Sequence, residues 1–260
     1  MILLSEQYYN LSLNVDCLNN FVIIVPCYNE ANRLPIKSYS NFLEKETQVS
    51  VLFVNDASTD TTLEVLTKLK EAYPNQVGIL ENKKNRGKAE SIRNGILHLI
   101  DTNTSQIFAY LDADLATSLE ECYSYTNHLI DNKEFVFASR ILKIGSVVER
   151  KFSRFFFGRI IATIISNILD IKVYDTQCGC KVFTHNIAEL IFKKPFISKW
   201  LFDVEIFSRI LKHYGKEKAL SFMNEIPVKR WVDIGDSKVK MSYFFQLWID
   251  LYKIRKSHML

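Results

Sequence analysis

Ile107-Phe-Ala-Tyr-Leu-Asp-Ala-Asp114 joins a short apolar run to a pair of acids. Ile107–Leu111 has the length and residue types of a buried strand. Asp112 and Asp114 follow two residues apart, and in extended backbone alternate side chains point the same way. Both carboxylates therefore reach toward one point. Converging anions repel unless a cation lies between them. Mg2+ or Mn2+ prefers oxygen ligands and often binds through one or two carboxylates plus substrate phosphates. The same pair is also what solvated acids before the helix cap at Ser118 look like, so its meaning depends on its neighbours.

Four further runs match the first: Phe21–Val25, Val51–Val54, Val77–Leu80 and Phe135–Ala138. Each is followed by polar or turn residues. Between the runs lie helix-start signals, Thr61 with Glu64 and Ser118 with Glu121, at the spacing of a capping box. Strands alternating with helices predict an α/β fold with a mostly parallel sheet flanked by helices. In such sheets ligands bind beyond the carboxyl ends of the strands. Those ends carry Pro26-Cys-Tyr-Asn-Glu30, Asn55-Asp-Ala-Ser-Thr-Asp60, Asn85-Arg-Gly-Lys88 and Asp112-Ala-Asp114. Acids and cations at one end of a sheet suit a ligand that brings phosphates and a metal. No Gly-rich phosphate loop opens the first strand, which argues against a sugar nucleotidyltransferase.

The chain has 260 residues, of which 48% are hydrophobic, enough for one large domain or a domain with an appendage. Its net charge of +4 is too small to argue for nucleic acid, and no nucleic-acid partner is expected. The five cysteines are odd in number and scattered, unlike a disulfide framework, and point to a reducing compartment. Cys178 and Cys180 lack a second pair at zinc-site spacing and read as packing. The apolar start, Met1 to Leu4, meets Glu6 at once with no basic segment before it, so no secretory signal is predicted. The longest apolar stretch, Phe155–Leu169, is broken by Arg159 and Asn167, and no transmembrane helix is expected.

After Arg140 the pattern changes. Residues 143–154 are basic and polar, and Phe155–Leu169 follows as a helix. At about 100° per residue, Arg159, Thr163, Ser166 and Asn167 share one stripe, and Phe157, Ile160, Ile161, Ile164, Ile165, Ile168 and Leu169 fill the rest. Such a helix either packs on the core or lies in a membrane interface, with Arg150, Lys151, Arg154 and Arg159 near lipid phosphates. Tyr243–Ile254 repeats the theme with Phe244, Phe245, Trp248 and Tyr252 beside Lys253, Arg255 and Lys256. The expected organisation is an N-terminal extension (1–20), a catalytic domain (21–240) containing the amphipathic segment 150–170, and a C-terminal amphipathic, basic helix (241–260).

The strand-end segments, in this order and spacing, resemble glycosyltransferase family 2, whose catalytic domain has the GT-A fold, a Rossmann-like sheet with flanking helices. Asp175-Thr-Gln-Cys-Gly-Cys-Lys181, Phe202-Asp-Val-Glu205 and Trp231 through Lys238 narrow the likeness to the branch that transfers glucose or mannose to dolichyl or polyprenyl phosphate. The resemblance implies that Pro26, Tyr28 and Glu30 border the nucleoside. It puts Asp56 and Asn55 by the base or ribose, and Lys88 near the base or phosphates. Asp112 with Ala113 would face the ribose and sugar, and Asp114 would be the main ligand of Mg2+ or Mn2+. Some mannosyl relatives place a metal-binding Gln where this chain has Ala116. Arg140, with Arg150 or Arg154, would meet the acceptor phosphate. Gln177 would touch the sugar or stay structural. Asp203 would contact sugar or acceptor, while Asp203 and Glu205 also read as supporting residues. Trp231 and Lys238 would close over the donor.

The implied reaction is inverting transfer of a sugar from a nucleoside-diphosphate sugar, UDP-glucose ahead of GDP-mannose, to a polyprenyl monophosphate. The enzyme would sit on the cytoplasmic face of a membrane, held to its surface. A family 2 enzyme acting on a sugar hydroxyl would instead need Asp203 as a base. A non-catalytic nucleotide-sugar binding module and a membrane-associated scaffold are the readings from other classes.

Overall fold

The computed structural model describes residues 20–102, 105–149, 152–232 and 243–257, with the side chains of 152–154, 157 and 243–245 outside that description. The expected extension up to residue 19, Arg150, Lys151 and Lys238, and the side chains of Arg154, Phe157, Phe244 and Phe245, lie outside the described residues. The chain divides into two compact units, residues 1–115 and 116–260.

In the first unit β1 (Phe21–Cys27), β2 (Val49–Asn55), β3 (Val77–Glu81) and β4 (Ile107–Leu111) alternate with α1 (Ile36–Lys45), α2 (Thr62–Ala72) and α3 (Lys88–Thr102). Their order is β3-β2-β1-β4, and every neighbouring pair is parallel. Val22–Val25 and Val51–Val54 are fully buried. These strands read as unbroken apolar runs because helices cover both faces of a parallel sheet. The chain runs outward through β2 and β3, then returns to lay β4 on the other side of β1. That reversal puts the switch point beyond the carboxyl ends of β1 and β4, where Tyr28–Glu30 and Asp112–Asp114 lie.

Helix α3 comes unusually close to the sheet. A Cβ on Gly95 would sit 2.9 Å from Ile24 Cγ2 and 3.0 Å from Val54 Cγ2, so only glycine permits this approach. The start of α2 differs from the sequence reading. Thr61 makes no side-chain cap. Asp60 does the work instead, its Oδ1 accepting from Thr62 N at 3.0 Å and its Oδ2 from Ala31 N at 3.2 Å. One carboxylate thus starts the helix and ties down the loop after β1.

In the second unit β5 (Phe135–Ser139) lies between β7 (Cys180–Thr184) and β8 (Met223–Pro227). It is antiparallel to β7 and parallel to β8. A parallel ribbon pairs β6 (Val147–Glu149) with β9 (Arg230–Val232). Around them run α4 (Leu119–Ser124), α5 (Phe152–Leu169), α6 (His185–Phe192), α7 (Phe202–Tyr214), α8 (Lys216–Phe222) and α9 (Tyr243–Ser257). Ser118 caps α4 as read from the sequence, its Oγ accepting from Glu121 N at 3.1 Å. The Glu121 carboxylate is used elsewhere, accepting from Lys229 N and from Tyr125 Oη. The core is aromatic, with Phe137 and Phe207 edge to face at 4.8 Å and Phe135 and Phe207 at 5.5 Å. Arg209 donates to the carbonyls of Ile191, Lys194 and Pro195, satisfying acceptors that the end of α6 leaves over.

Along α5 only Ile165 and Leu169 are buried among the described side chains, while Phe156 and Ile160 are exposed. It is therefore not a core helix along its length. Among the described residues no helix is long and apolar enough to cross a membrane.

Gly95→Val is expected to cost ~1–3 kcal/mol by overpacking α3 against β1 and β2. Urea unfolding checks it: the midpoint falls while the slope stays unchanged.

Candidate active site

At the switch point of the first unit the loops after β1 and β2 are stitched together. Asn29 takes a positive φ of 53°, a conformation that Asn tolerates better than most residues. Its N–H donates to Ser58 Oγ at 3.1 Å, and its Oδ1 accepts from Thr59 N at 2.8 Å. Glu30 N donates to Thr62 Oγ1 at 2.8 Å, and Asp56 N to Cys27 O at 2.8 Å. Pro26 and Tyr28 are thereby fixed beside the β2 loop, with Tyr28 exposed and Glu30 buried.

Asn55 and Asp56 build the loops from inside. The Asn55 Oδ1 accepts from Ser58 N at 3.2 Å. Asp56, only 2% exposed, accepts from Asn82 Nδ2 at 2.8 Å, Arg86 N at 2.9 Å and Gly87 N at 2.7 Å. A buried carboxylate must find donors, and the turn that starts α3 offers its free backbone N–H groups. Gly87, at φ 88°, lets that turn close. Both oxygens of Asp56, expected by the base or ribose, hold the loop that delivers Lys88.

The acid pair lies beyond β4. Tyr39 Oη donates to Ala113 O at 3.2 Å, and Leu115 N returns to Asp112 O at 3.1 Å. Burial pushes the Tyr39 hydroxyl well above its ordinary pKa, helped by Cys27, Asp114, Asp112 and Glu30, so it stays a neutral donor. The Asp112 carboxylate is paired with Lys88 Nζ. Asp114 faces Arg33 Nη2 at 3.6 Å, and Arg33 Nε lies 3.6 Å from Glu30. The Asp112 and Asp114 side chains are 38% and 23% exposed, open to a ligand in a way that Asp56 is not. Two hard oxygen donors at this spacing fit Mg2+ or Mn2+, provided phosphate oxygens and water complete the shell. No cluster of three or more metal-ligating side chains occurs among the described residues. Ala116 supplies no ligand. Arg33 escaped the sequence reading; its one signal is the spacing of three residues after Glu30.

The second unit gathers a different set. Arg140, just past β5, forks onto Asp175, Nε to Oδ2 at 2.6 Å and Nη2 to Oδ1 at 2.9 Å. Its backbone N–H donates to Oδ2 at 3.1 Å, and Gln177 N donates to Oδ1 at 3.0 Å. Although burial opposes ionisation, the Arg140 charge and these donors bring the Asp175 pKa down to about 2. Glu225 on β8 anchors the same loop by accepting from Tyr174 N and Asp175 N at 3.0 Å and 2.9 Å. The Arg140 guanidinium lies 5.3 Å from the centre of the buried Trp231 ring, within range of a cation–π contact. Gln177 Nε2 and Thr176 Oγ1 are buried without hydrogen-bond partners.

Two expected roles change here. Asp203 is 3% exposed and paired with the fully buried Lys181 at 2.6 Å, whose Nζ also donates to Cys178 O at 2.9 Å. Its carboxylate is committed to a buried cation, as Glu205 is to Arg209 at 2.7 Å. Arg159, expected near lipid phosphates, donates to Tyr174 O at 2.7 Å and lies 3.6 Å over the Tyr174 ring. It ties α5 to the loop that carries Asp175. Cys178 and Cys180 are fully buried.

A parallel sheet whose switch point ends in paired acids, each facing a cation, has the layout of a GT-A transferase. The family described as glycosyl transferase family 2 matches residues 22–192, and the chain belongs to that family. Among curated proteins it is 31% identical to a dolichyl-phosphate beta-glucosyltransferase of Trichomonas vaginalis, over 89% of this chain and 69% of the relative. It is 29% identical to the dolichyl-phosphate beta-glucosyltransferase of Dictyostelium discoideum, over 98% and 80%. Among solved structures it resembles mannosyl-3-phosphoglycerate synthase of Rubrobacter xylanophilus, with a TM-score of 0.64 at 14% identity over 92% of this chain and 73% of that one. It also resembles a mannosyltransferase of Pyrobaculum calidifontis in complex with GDP-Man and Mn2+, with a TM-score of 0.60 at 19% identity. That likeness covers 91% of this chain, which spans 63% of the Pyrobaculum chain. The GT-A fold expected from the sequence is the fold of this chain, and the protein is a glycosyltransferase.

The Asp175 pKa predicts an acid signature. Its folded value of about 2 lies below the ordinary 3.8. The stabilisation is therefore full above about pH 4 and is lost as pH falls through about 2, about 2 kcal/mol in all. In urea titrations the stability gap between wild type and Asp175→Asn is expected to narrow by that amount across this window.

Proposed function

We propose that the chain transfers glucose from UDP-glucose to the phosphate of a dolichyl or polyprenyl monophosphate, with inversion at the anomeric carbon. The named relatives, similar over most of the chain, support the acceptor class. One observation favours it on physical grounds. A sugar hydroxyl as acceptor needs a base, and Asp203, the residue for that task, is held by Lys181 in the interior. A phosphate monoester needs none, because its second pKa is about 6 and its oxygen is already anionic at neutral pH.

In the first unit Pro26, Tyr28 and Glu30 border the nucleoside, and Asn55 and Asp56 hold the loops that shape its site. Lys88 meets the diphosphate. Asp112 with Ala113 faces the ribose and sugar, and Asp114 is the main protein ligand of Mg2+ or Mn2+. A divalent ion bound there with the donor supplies Lewis acidity that neutralises the departing diphosphate. In the second unit Arg140 holds the acceptor phosphate, with Arg150 or Arg154 as a further contact. Asp175 fixes the guanidinium plane, and a planar fork of this kind suits phosphate oxygens. Gln177 offers its buried amide to a sugar hydroxyl, and Trp231 and Lys238 close over the donor. A phosphate oxygen attacks C1 as the C1–O bond to UDP breaks, giving the dolichyl or polyprenyl β-glucosyl phosphodiester and UDP with no proton transferred.

The acceptor's tail needs a lipid surface. Among the described residues, the exposed large hydrophobic ones other than Tyr28 belong to the second unit, among them Leu142, Ile144, Phe156, Ile160, Trp200, Trp248 and Tyr252. With Lys253, Arg255 and Lys256 exposed on α9, that surface suits peripheral contact with anionic lipid on the cytoplasmic side of a membrane.

Purified protein with UDP-glucose, Mg2+ and dolichyl phosphate is expected to release UDP. Arg140→Ala should raise the acceptor KM about 10–100-fold, the worth of a charge-assisted hydrogen bond, with little change in the donor KM. Turnover on free sugars with none on the lipid phosphate would overturn the proposal.

A further inference from the structure

Arg33 lies between two carboxylates of the donor site. Its Nη2 is 3.6 Å from Asp114 Oδ2, and its Nε is 3.6 Å from Glu30 Oε2. Its backbone is pinned, Arg33 N donating to Glu30 O at 2.9 Å. The side chain is 37% exposed, so it can turn without breaking a packed core. Lys88 stands in the same relation to Asp112. The acids that would hold a divalent ion are thus already countered by two of the chain's own cations.

This arrangement has a consequence for the order of binding. A metal ion arriving alone must displace Arg33 from Asp114 while Arg33 gains no new anion. Asp112, Asp114 and Glu30 already have Lys88 and Arg33 as counter-charges, which weakens their pull on a dication. A diphosphate changes the balance, because it offers oxygens to the released guanidinium as the metal takes the carboxylate. The planar fork of Arg suits two phosphate oxygens at once, and the Glu30 carboxylate, 3.6 Å from Nε, keeps a counter-charge beside it.

We propose that Arg33 is a donor-site residue that exchanges partners, countering Asp114 in the empty chain and binding the diphosphate when metal and nucleotide arrive together. It would make metal binding depend on nucleotide. The inference rests on the donor site proposed above, but its test needs no turnover.

The probes are Mn2+ alone, followed by electron paramagnetic resonance of the free ion, and UDP with saturating Mn2+, followed by calorimetry. In Arg33→Gln, Mn2+ alone is expected to bind several-fold tighter, while UDP binds roughly tenfold weaker, the loss of a charge-assisted pair. Arg33→Lys should keep the wild-type response to Mn2+ alone yet still weaken UDP, since the charge remains and the fork is gone. Unchanged UDP affinity in both variants, or metal and nucleotide weakened by the same factor, overturns the exchange. Should Arg33→Gln fail to fold, the lysine variant decides: weakened UDP with unchanged Mn2+ supports the exchange, and unchanged UDP overturns it. A wild-type chain that binds no UDP with Mn2+ would instead sink the donor site itself.

Discussion

A carboxylate held in or beside a folded core needs a counter-charge or a set of N–H donors, and this chain is organised by how several of them are answered. Asp56 and Glu225 are answered by backbone and amide N–H groups. Asp175, Asp203 and Glu205 are answered by Arg140, Lys181 and Arg209. Asp56, Asp175, Asp203 and Glu205 are buried and Glu225 is half-buried, and removal of the cation from Asp175, Asp203 or Glu205 would leave charge without compensation. Asp112 and Asp114 are answered too, by Lys88 and Arg33, but in the open. A pair held at the surface by flexible cations can trade them for a metal ion and a phosphate; a pair sealed in the core cannot. The difference between structural and ligand-binding acids is one of exposure, not of residue type.

That distinction marks what could be read in advance. The runs Phe21–Val25, Val51–Val54, Val77–Leu80, Ile107–Leu111 and Phe135–Ala138 became β1 to β5, because strands buried on both faces leave an unbroken apolar trace. The segments after them were legible because the carboxyl ends of such strands have one destination. Strands β7 to β9 were not legible. Lys181 in β7 and Asn224 and Glu225 in β8 interrupt the apolar pattern, and only the tertiary partners Asp203, Tyr174 and Asp175 make those residues tolerable. The same blindness applied to Asp56, Asp203 and Arg159. Sequence identifies a charged residue after a strand or on a helix stripe, but not whether its partner lies in solvent, in a ligand or many residues away.

Arg159 illustrates a further physical point about the second unit. Its helix, α5, buries little of its apolar surface, yet Arg159 is fastened to Tyr174. Tyr174 and Asp175 are fastened to Glu225, and Asp175 to Arg140. Each contact is short, and the sequence separations are long. A helix that sits loosely on its own core is thus joined through polar bonds to the residue that would hold the acceptor's phosphate. The inward attachment of α5 combines the buried Ile165 and Leu169 with the polar bond of Arg159.

The two units divide the chemistry by the kind of charge they present. The first offers half-buried acids paired with cations that are themselves partly exposed, suited to the proposed metal and diphosphate. The second offers Arg140, fixed by a carboxylate whose own proton affinity is so low that the pair stays ionised at any ordinary pH. A fixed cation of that kind positions an anion without being able to give or take a proton. For a nucleophile that is already an oxyanion, positioning is what remains to be done. A hydroxyl nucleophile would require one of the second unit's buried acids to leave its cation and become a base, against the cost of stranding Lys181 or Arg209 in the interior. The placement of the counter-charges, more than any single motif, is therefore what favours the proposed phosphate acceptor over a hydroxyl.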